Sequence, residues 1–432
     1  MNKLIYILIL LFFLNNCSLK DKSIFSKNNN EELEPKQNIK KIFSEKKKIV
    51  TEFNKNLNLG LSNIKLNRKV FDSNNNYGSQ EYTGELKKSI SYKYSKLNQL
   101  NYMNFEPIFL EDGVIFFDKK GSIIRYTQKN KILWKKNHYT KSEKKLSPKL
   151  NFIVDNENLL IADNISKYYS INLNTGELNW MKNNIYPFNS EIKKYKDKIF
   201  VVDYKNTLRC LKIIDGSECW NLQTEDSFTL SNSKYSIIVN KNSVIFTNSI
   251  GDITAADTDT GLILWQLPTQ SSNIINETYN FKNSKLVSDG NSIIFSNNKN
   301  RFYSIDIKTG TINWINKINS TVTPVIVDNL IFTVSIEGYL YVIEKNKGNI
   351  IRINNLFVNY KDKIKKNIKP NGFAIGDKKL YLTNSNGNII VVDLNSGSVI
   401  DTRKIAGSLV SKPFIFNNSL FVIRNGSIVQ YD

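Results

Sequence analysis

Apolar and polar residues alternate in short runs over most of the chain. Phe302-Tyr303-Ser304-Ile305-Asp306-Ile307 is representative, and a period of two places successive side chains on opposite faces of a β-strand. Lys308-Thr309-Gly310 follows as a tight turn in which glycine supplies a positive φ, and Thr311-Ile312-Asn313-Trp314 begins the return strand. Upstream, Pro324 to Val327 and Leu330 to Val334 read as two further short strands of the next copy. The predicted unit is therefore four antiparallel strands.

The unit repeats. Aligned on tryptophan, the copies end at Trp134, Trp180, Trp220, Trp265 and Trp314, and all five tryptophans of the chain share one phase. Two more copies keep the frame without the indole and end at Arg352 and Asp401. The intervals of 46, 40, 45, 49, 38 and 49 residues match the spacing of about 40–50 residues expected for four-stranded propeller blades. A Trp at the start of an outermost strand can bury about 150–250 Å² against a neighbouring blade, so the repeated indole is read as a packing device.

After Asp401 only three strands remain, Pro413 to Phe416, Leu420 to Ile423 and Ser427 to Tyr431. An open edge would leave unpaired backbone groups. The alternating stretch Ser89-Ile90-Ser91-Tyr92-Lys93-Tyr94 is the natural fourth strand. The predicted fold is all-β, an eight-bladed β-propeller over residues 86–432 closed by an N-terminal strand.

The N-terminus follows another pattern. Lys3 precedes an apolar run of eleven residues, Leu4 to Leu14, too short to span a bilayer and suited to the core of an export signal. Leu14-Asn15-Asn16-Cys17-Ser18 resembles a bacterial lipobox, with Asn16 where a small residue is usual. The resemblance implies a signal peptide over 1–16, lipidation of Cys17, and sorting to the outer membrane because Ser18 is not Asp. Residues 17–85 read as a tether. Within it Ile39, Ile42, Phe43, Ile49, Val50, Phe53 and Leu57 fit one face of an amphipathic helix, and Asn74-Asn75-Asn76-Tyr77-Gly78-Ser79 reads as flexible loop.

Composition narrows the function classes. The chain has 432 residues, 41% of them hydrophobic, so a packed core is available; Lys+Arg 60 against Asp+Glu 39 gives a formal charge of +21. The lysines are scattered, which reads as a cationic surface and not as a nucleic-acid site. One His and three Cys make a His/Cys metal cluster or a His-based triad hard to assemble. His138 lies in a Lys-rich segment and is read as a solvated surface residue. Asp257, Asp306, Glu344 and Asp393 sit at the hairpin phase, where bonding within the turn accounts for them.

The phase Ala255-Ala256-Asp257-Thr258-Asp259-Thr260-Gly261-Leu262-Ile263-Leu264-Trp265 resembles the repeat of pyrroloquinoline-quinone (PQQ)-type propellers, and the resemblance covers about 80% of the chain. That repeat serves both quinoprotein dehydrogenases and non-catalytic lipoproteins. The dehydrogenases use Ca²⁺, an acidic base and a disulfide between adjacent cysteines; no Cys-Cys pair occurs here. If the hairpin around Ile213 to Gly216 pairs residues whose numbers sum to 429, Cys210 lies opposite Cys219, which leaves either a disulfide or two reduced thiols.

Lipobox, tether and eight blades together resemble the scaffold lipoproteins of the outer-membrane β-barrel assembly (BAM) machinery. The resemblance implies a protein without catalysis, cofactor or metal. It implies an anchored position on the outer membrane facing the periplasm, binding to the periplasmic domains of the central barrel subunit BamA, and contact with unfolded outer-membrane proteins. Its contact surface falls on loops between consecutive blades. Phe228-Thr229-Leu230 matches the apolar-polar-apolar contact triplet, with Ser231 where the family has Arg, and Glu277 is the nearest acidic candidate in the next loop. A quinone- and Ca²⁺-dependent dehydrogenase and a periplasmic ligand-binding propeller are the alternatives.

Overall fold

A computed structural model describes residues 50–62, 75–76, 82–94, 105–225, 233–269, 281–407, 410–424 and 426–432. Among them the strands form eight four-stranded antiparallel sheets, each strand pairing with its neighbour in sequence except in the last. Seven blades span 108–136, 150–183, 193–223, 237–267, 287–316, 325–355 and 370–404. The eighth combines Phe414–Phe416, Ser419–Arg424 and Ser427–Tyr431 with the N-terminal strand Lys88–Lys93, which pairs antiparallel with Ser427–Tyr431. The expected closure is thus present, and it removes the edge that the C-terminus would have left open. Tyr92 and Tyr94 pack edge-on against Tyr126 and Phe116 of blade 1 and weld the closing blade to the first.

Burial follows position in the blade. Second and third strands such as Gly113–Phe117 and Asn388–Asp393 are buried almost throughout, because both of their faces meet neighbouring blades. Fourth strands such as Ile263–Leu267 are largely exposed, and they form the outer wall.

The tryptophans perform the expected packing. Trp134, Trp180, Trp220, Trp265 and Trp314 donate from Nε1 to the carbonyls of Leu173, Ile213, Thr258, Ile307 and Lys345 of the following blade, at 2.8–3.2 Å. Each indole also covers the glycine of that blade's hairpin. Gly216 has φ +67°, and a Cβ there would stand 2.4 Å from the Trp180 ring, so both backbone and space require glycine.

One irregularity recurs in blades 1 to 7. The register shifts by one residue at the Trp phase, as between Ser304/Ile305 and between Cys210/Leu211, a β-bulge that re-aims the indole toward the next blade. Cys210 consequently faces Trp220, and Cys219 is the extra residue of the bulge. The expected direct Cys210–Cys219 pairing is corrected by this one-residue shift. Both thiols are free, Cys210 buried and Cys219 half-buried.

The described residues 50–62 of the proposed tether lie against the propeller. Residues 50–57 are not helical. Phe53 instead forms a two-way backbone bridge with Ile353 on the outer edge of blade 6, at 3.1 and 2.9 Å, because that edge offers unpaired donors and acceptors that a helix could not satisfy. The part of the predicted helix before residue 50 lies outside the described residues. No described helix is long and apolar enough to cross a membrane.

Candidate functional site

Phe228, Thr229 and Leu230 in 226–232, Glu277 in 270–280, and Cys17 lie outside the described residues. The roots of the two loops are described, and they meet at one turn. The blade 3 to blade 4 connection leaves strand Glu218–Gln223 at Thr224, whose N–H donates to the Asn206 carbonyl at 3.2 Å. Asn206 is fully buried; its amide donates to the Glu225 carbonyl at 2.7 Å and to Ser249 Oγ at 2.8 Å, and accepts from the Ser249 N–H at 3.0 Å. The next connection leaves blade 4 at Thr269, whose hydroxyl donates to the Gly251 carbonyl at 2.8 Å, and returns at buried Phe281, against which Gly251 is packed. Both candidate loops therefore spring from opposite flanks of the turn Asn248 to Asp252. Asp252 is buried there, and burial, reinforced by the Glu225 charge, pushes its carboxyl up to about 6 against the Thr269 N–H that accompanies it.

This turn exposes a second repeat that the Trp alignment left unread. Seventeen residues before the Trp phase stand Asp163, Asp203, Asn248, Asn297 and Asn384, with Asp118 one place nearer. Each accepts backbone N–H groups two or four residues on, as Asp163 does from Ile165 and Lys167 and Asn384 from Asn386 and Asn388. A short oxygen-bearing side chain at that spacing is the sequence signal. At the hairpin phase the expected turn bonding holds for Asp257, Asp306 and Asp393, while Glu344 accepts from the Asn349 side chain. His138 departs from its reading: it is half-buried, 5.7 Å from the Tyr169 ring, bonded to the Gly176 carbonyl, and its pKa is lowered by burial.

The central channel is the other concave site. Its wall is the row of first strands, and charged residues just before them meet across it. Lys285, ahead of blade 5, pairs with Glu106, ahead of blade 1, and with Glu191, ahead of blade 3, each at 2.7 Å; Lys412 reaches Glu106 at 2.7 Å. Burial alone would raise both carboxyls, but the lysines outweigh it: Glu106 is held well below the usual carboxylate range by Lys285 and Lys412, and Glu191 at about 2 by Lys193 and Lys285. Lys234 stands over the Phe105 ring at 4.6 Å, and burial, with Lys285 nearby, lowers it to about 7.

In this fold a quinone with Ca²⁺ would occupy such a channel. The residues present do not fit that group. Both carboxylates are committed to lysines, and the space beside Glu191 holds the Asn75 side chain at 3.0 Å. Among the described residues no three His, Cys, Asp or Glu side chains converge in a metal-binding arrangement.

Eight blades of PQQ-type repeat, a closing N-terminal strand and a channel bridged by ion pairs define the class: a PQQ-like β-propeller. Within that class, the family described as outer membrane protein assembly factor BamB matches residues 119–354, and the chain belongs to this family. Curated proteins give no match. Among solved structures, BamB from Moraxella catarrhalis is similar at 16% identity and a TM-score of 0.65, over 80% of this chain and 99% of that one. A europium-containing methanol dehydrogenase is similar at 10% identity and a TM-score of 0.62, over 81% and 87%. A quinohemoprotein alcohol dehydrogenase from Pseudomonas putida HK5 follows at 10% and 0.61, over 83% and 79%. These likenesses are of fold.

Proposed function

We propose that the protein is a non-catalytic, lipid-anchored scaffold of the outer-membrane barrel-assembly machinery. It is held at the periplasmic face of the outer membrane through Cys17 and binds the periplasmic domains of a BamA-like subunit through the loops carrying Phe228, Thr229, Leu230 and Glu277. The observation that carries this reading is the family match over 119–354. That the described roots of the two loops start from one turn supports the site. The lysine-committed carboxylates of the channel speak against the dehydrogenase alternative.

The test is an affinity capture of the tagged full-length protein from mildly solubilised membranes of its own source, with mass spectrometry of the companions. Recovery of the barrel subunit, lost when Phe228 and Leu230 are changed to Glu while Cys17 is kept, supports both scaffold and site. Absence of that subunit together with a retained quinone and Ca²⁺ overturns the proposal.

A further inference from the structure

We propose that the central channel contains a recognition site for a primary carboxamide, filled in cis by Asn75 of the N-terminal segment. Asn75 is fully buried although it stands in a run of asparagines that reads as open loop. Its Nδ2 faces four acceptors: Glu191 Oε1 at 3.0 Å, Ser236 Oγ at 3.3 Å, the Ile237 carbonyl at 3.1 Å and the Leu286 carbonyl at 3.0 Å. Its Oδ1 accepts from Lys193 Nζ at 2.6 Å. The amide orientation follows from the partners, because an ammonium only donates and carboxylate and carbonyl oxygens only accept.

That polarity selects the ligand class. A carboxylate in the same place would set a second anion against Glu191 and two carbonyl oxygens, and an alcohol lacks the second arm. The site is also held from behind. Glu191 Oε1 accepts the Ile237 N–H at 3.2 Å, and the Ser236 hydroxyl oxygen accepts the Leu286 N–H at 3.0 Å, so three blades fix its geometry before the amide arrives.

Asn76 extends the principle. It donates to the Ile326 carbonyl and accepts from the Ile326 N–H, both at 3.1 Å. First strands of a propeller leave one backbone edge facing the channel, and a carboxamide side chain carries the donor and acceptor that such an edge lacks. Asn75 adopts φ 57°, the left-handed region that asparagine tolerates better than most residues. The two side chains make residues 75 and 76 a plug in the channel. This inference stands apart from the scaffold proposal and survives its failure.

The test uses the full chain and the variant Asn75→Gly, which keeps the positive φ and deletes the amide. Lys193 is 5% exposed, and its rate of reductive dimethylation, read by mass spectrometry, reports the site. We expect labelling of Lys193 to rise about tenfold in the variant, and added acetamide to restore protection where equal acetate does not. Equal Lys193 rates in the two proteins, or equal protection by acetate, overturn the proposal. A measurement on the unaltered protein covers a variant that fails to fold: the Ile326 amide, on an inner edge, should exchange as slowly as paired amides, and exchange at the rate of an exposed loop overturns the plug.

Discussion

The Arg352 guanidinium donates to the Leu57 carbonyl at 2.8 Å and to the Leu394 carbonyl at 2.7 Å, and its side chain is entirely buried. Arg352 occupies the phase that tryptophan holds in five other blades. The bond to Leu394 repeats the indole's bond to the next blade; the bond to Leu57 is additional and catches residues 50–62. Arginine presents five donors where indole has one, which is a physical reason for the break in the Trp series.

That reading separates two substitutions. Arg352→Ala leaves the Leu57 and Leu394 carbonyls without their donor in a buried site, while the Asn395 carbonyl keeps the Leu59 N–H, and should cost about 3–5 kcal/mol. Arg352→Trp restores the repeat, keeps a donor for Leu394 and should cost less than half of that, while the segment 50–62 loses its lock. Limited proteolysis at 50–62 should therefore accelerate in both variants, whereas denaturant stability falls steeply only in the alanine variant. Equal protection of 50–62 in Arg352→Trp and the unaltered protein would remove Arg352 as the lock.

Legibility in the sequence follows the range of the contacts. Blade number, hairpin glycines and the closing strand were readable because period-two alternation, turn chemistry and the Trp phase are local and recur from blade to blade. The bulge was not, since its extra residue falls in a largely exposed fourth strand, where apolar Ile263 and Leu264 both face out and the pattern marks no register, and it moved Cys219 off its expected partner. The lock on residues 50–62 and the plug were not readable either. Asn75 and Leu57 find partners 116 to 295 residues away, at Glu191 and Arg352, and an Asn-rich run carries no apolar signal of burial.

The indole and glycine pairs predict position-dependent glycine costs. Gly216→Ala adds a methyl 2.4 Å from the Trp180 ring at φ +67°, whereas Gly290→Ala, at φ +93°, meets nothing within 4 Å. Backbone strain alone costs about 1 kcal/mol in such a position, and displacing a packed ring adds about 1–3 kcal/mol. Chemical denaturation should therefore show Gly216→Ala as the more destabilised by at least the second amount. Equal losses would mean that the ring yields freely and that the contact is not a packing constraint.

The two thiols in the blade 3 hairpin are in hydrogen-bond contact, and burial together with the Cys219 thiol pushes Cys210 far above the usual range. A thiol so raised is a poor nucleophile at neutral pH. Both cysteines should be alkylated after denaturation of freshly reduced protein, and diamide should join them slowly at pH 7 and faster at pH 9. Peptide mapping reads the link; two unlinked thiols after prolonged treatment at pH 9 would exclude a disulfide at this bulge.

Asp252, at the root of both candidate loops, sets a pH dependence whose sign can be worked out. Burial raises its carboxyl from 3.8 to about 6, so the folded state holds the proton more tightly than the unfolded chain. Stabilisation is then complete below about pH 4 and is lost as pH rises through about 6, a difference of roughly 2–3 kcal/mol. Asp163, buried against the Tyr139 hydroxyl at 2.6 Å and also raised to about 6, contributes with the same sign. Glu106 and Glu191 act oppositely, but their lysines hold them low and confine their effect to more acid solution. Asp252→Asn keeps an oxygen for the Thr269 N–H and removes the buried charge, so it should stabilise the protein by about 2 kcal/mol at pH 7.5 and reduce the change between pH 4.5 and 6.5 to what Asp163 and, with opposite sign, the burial-lowered His138 supply. Melting curves of the two proteins across that window decide the matter, and parallel profiles would mean that Asp252 titrates as an ordinary exposed carboxylate.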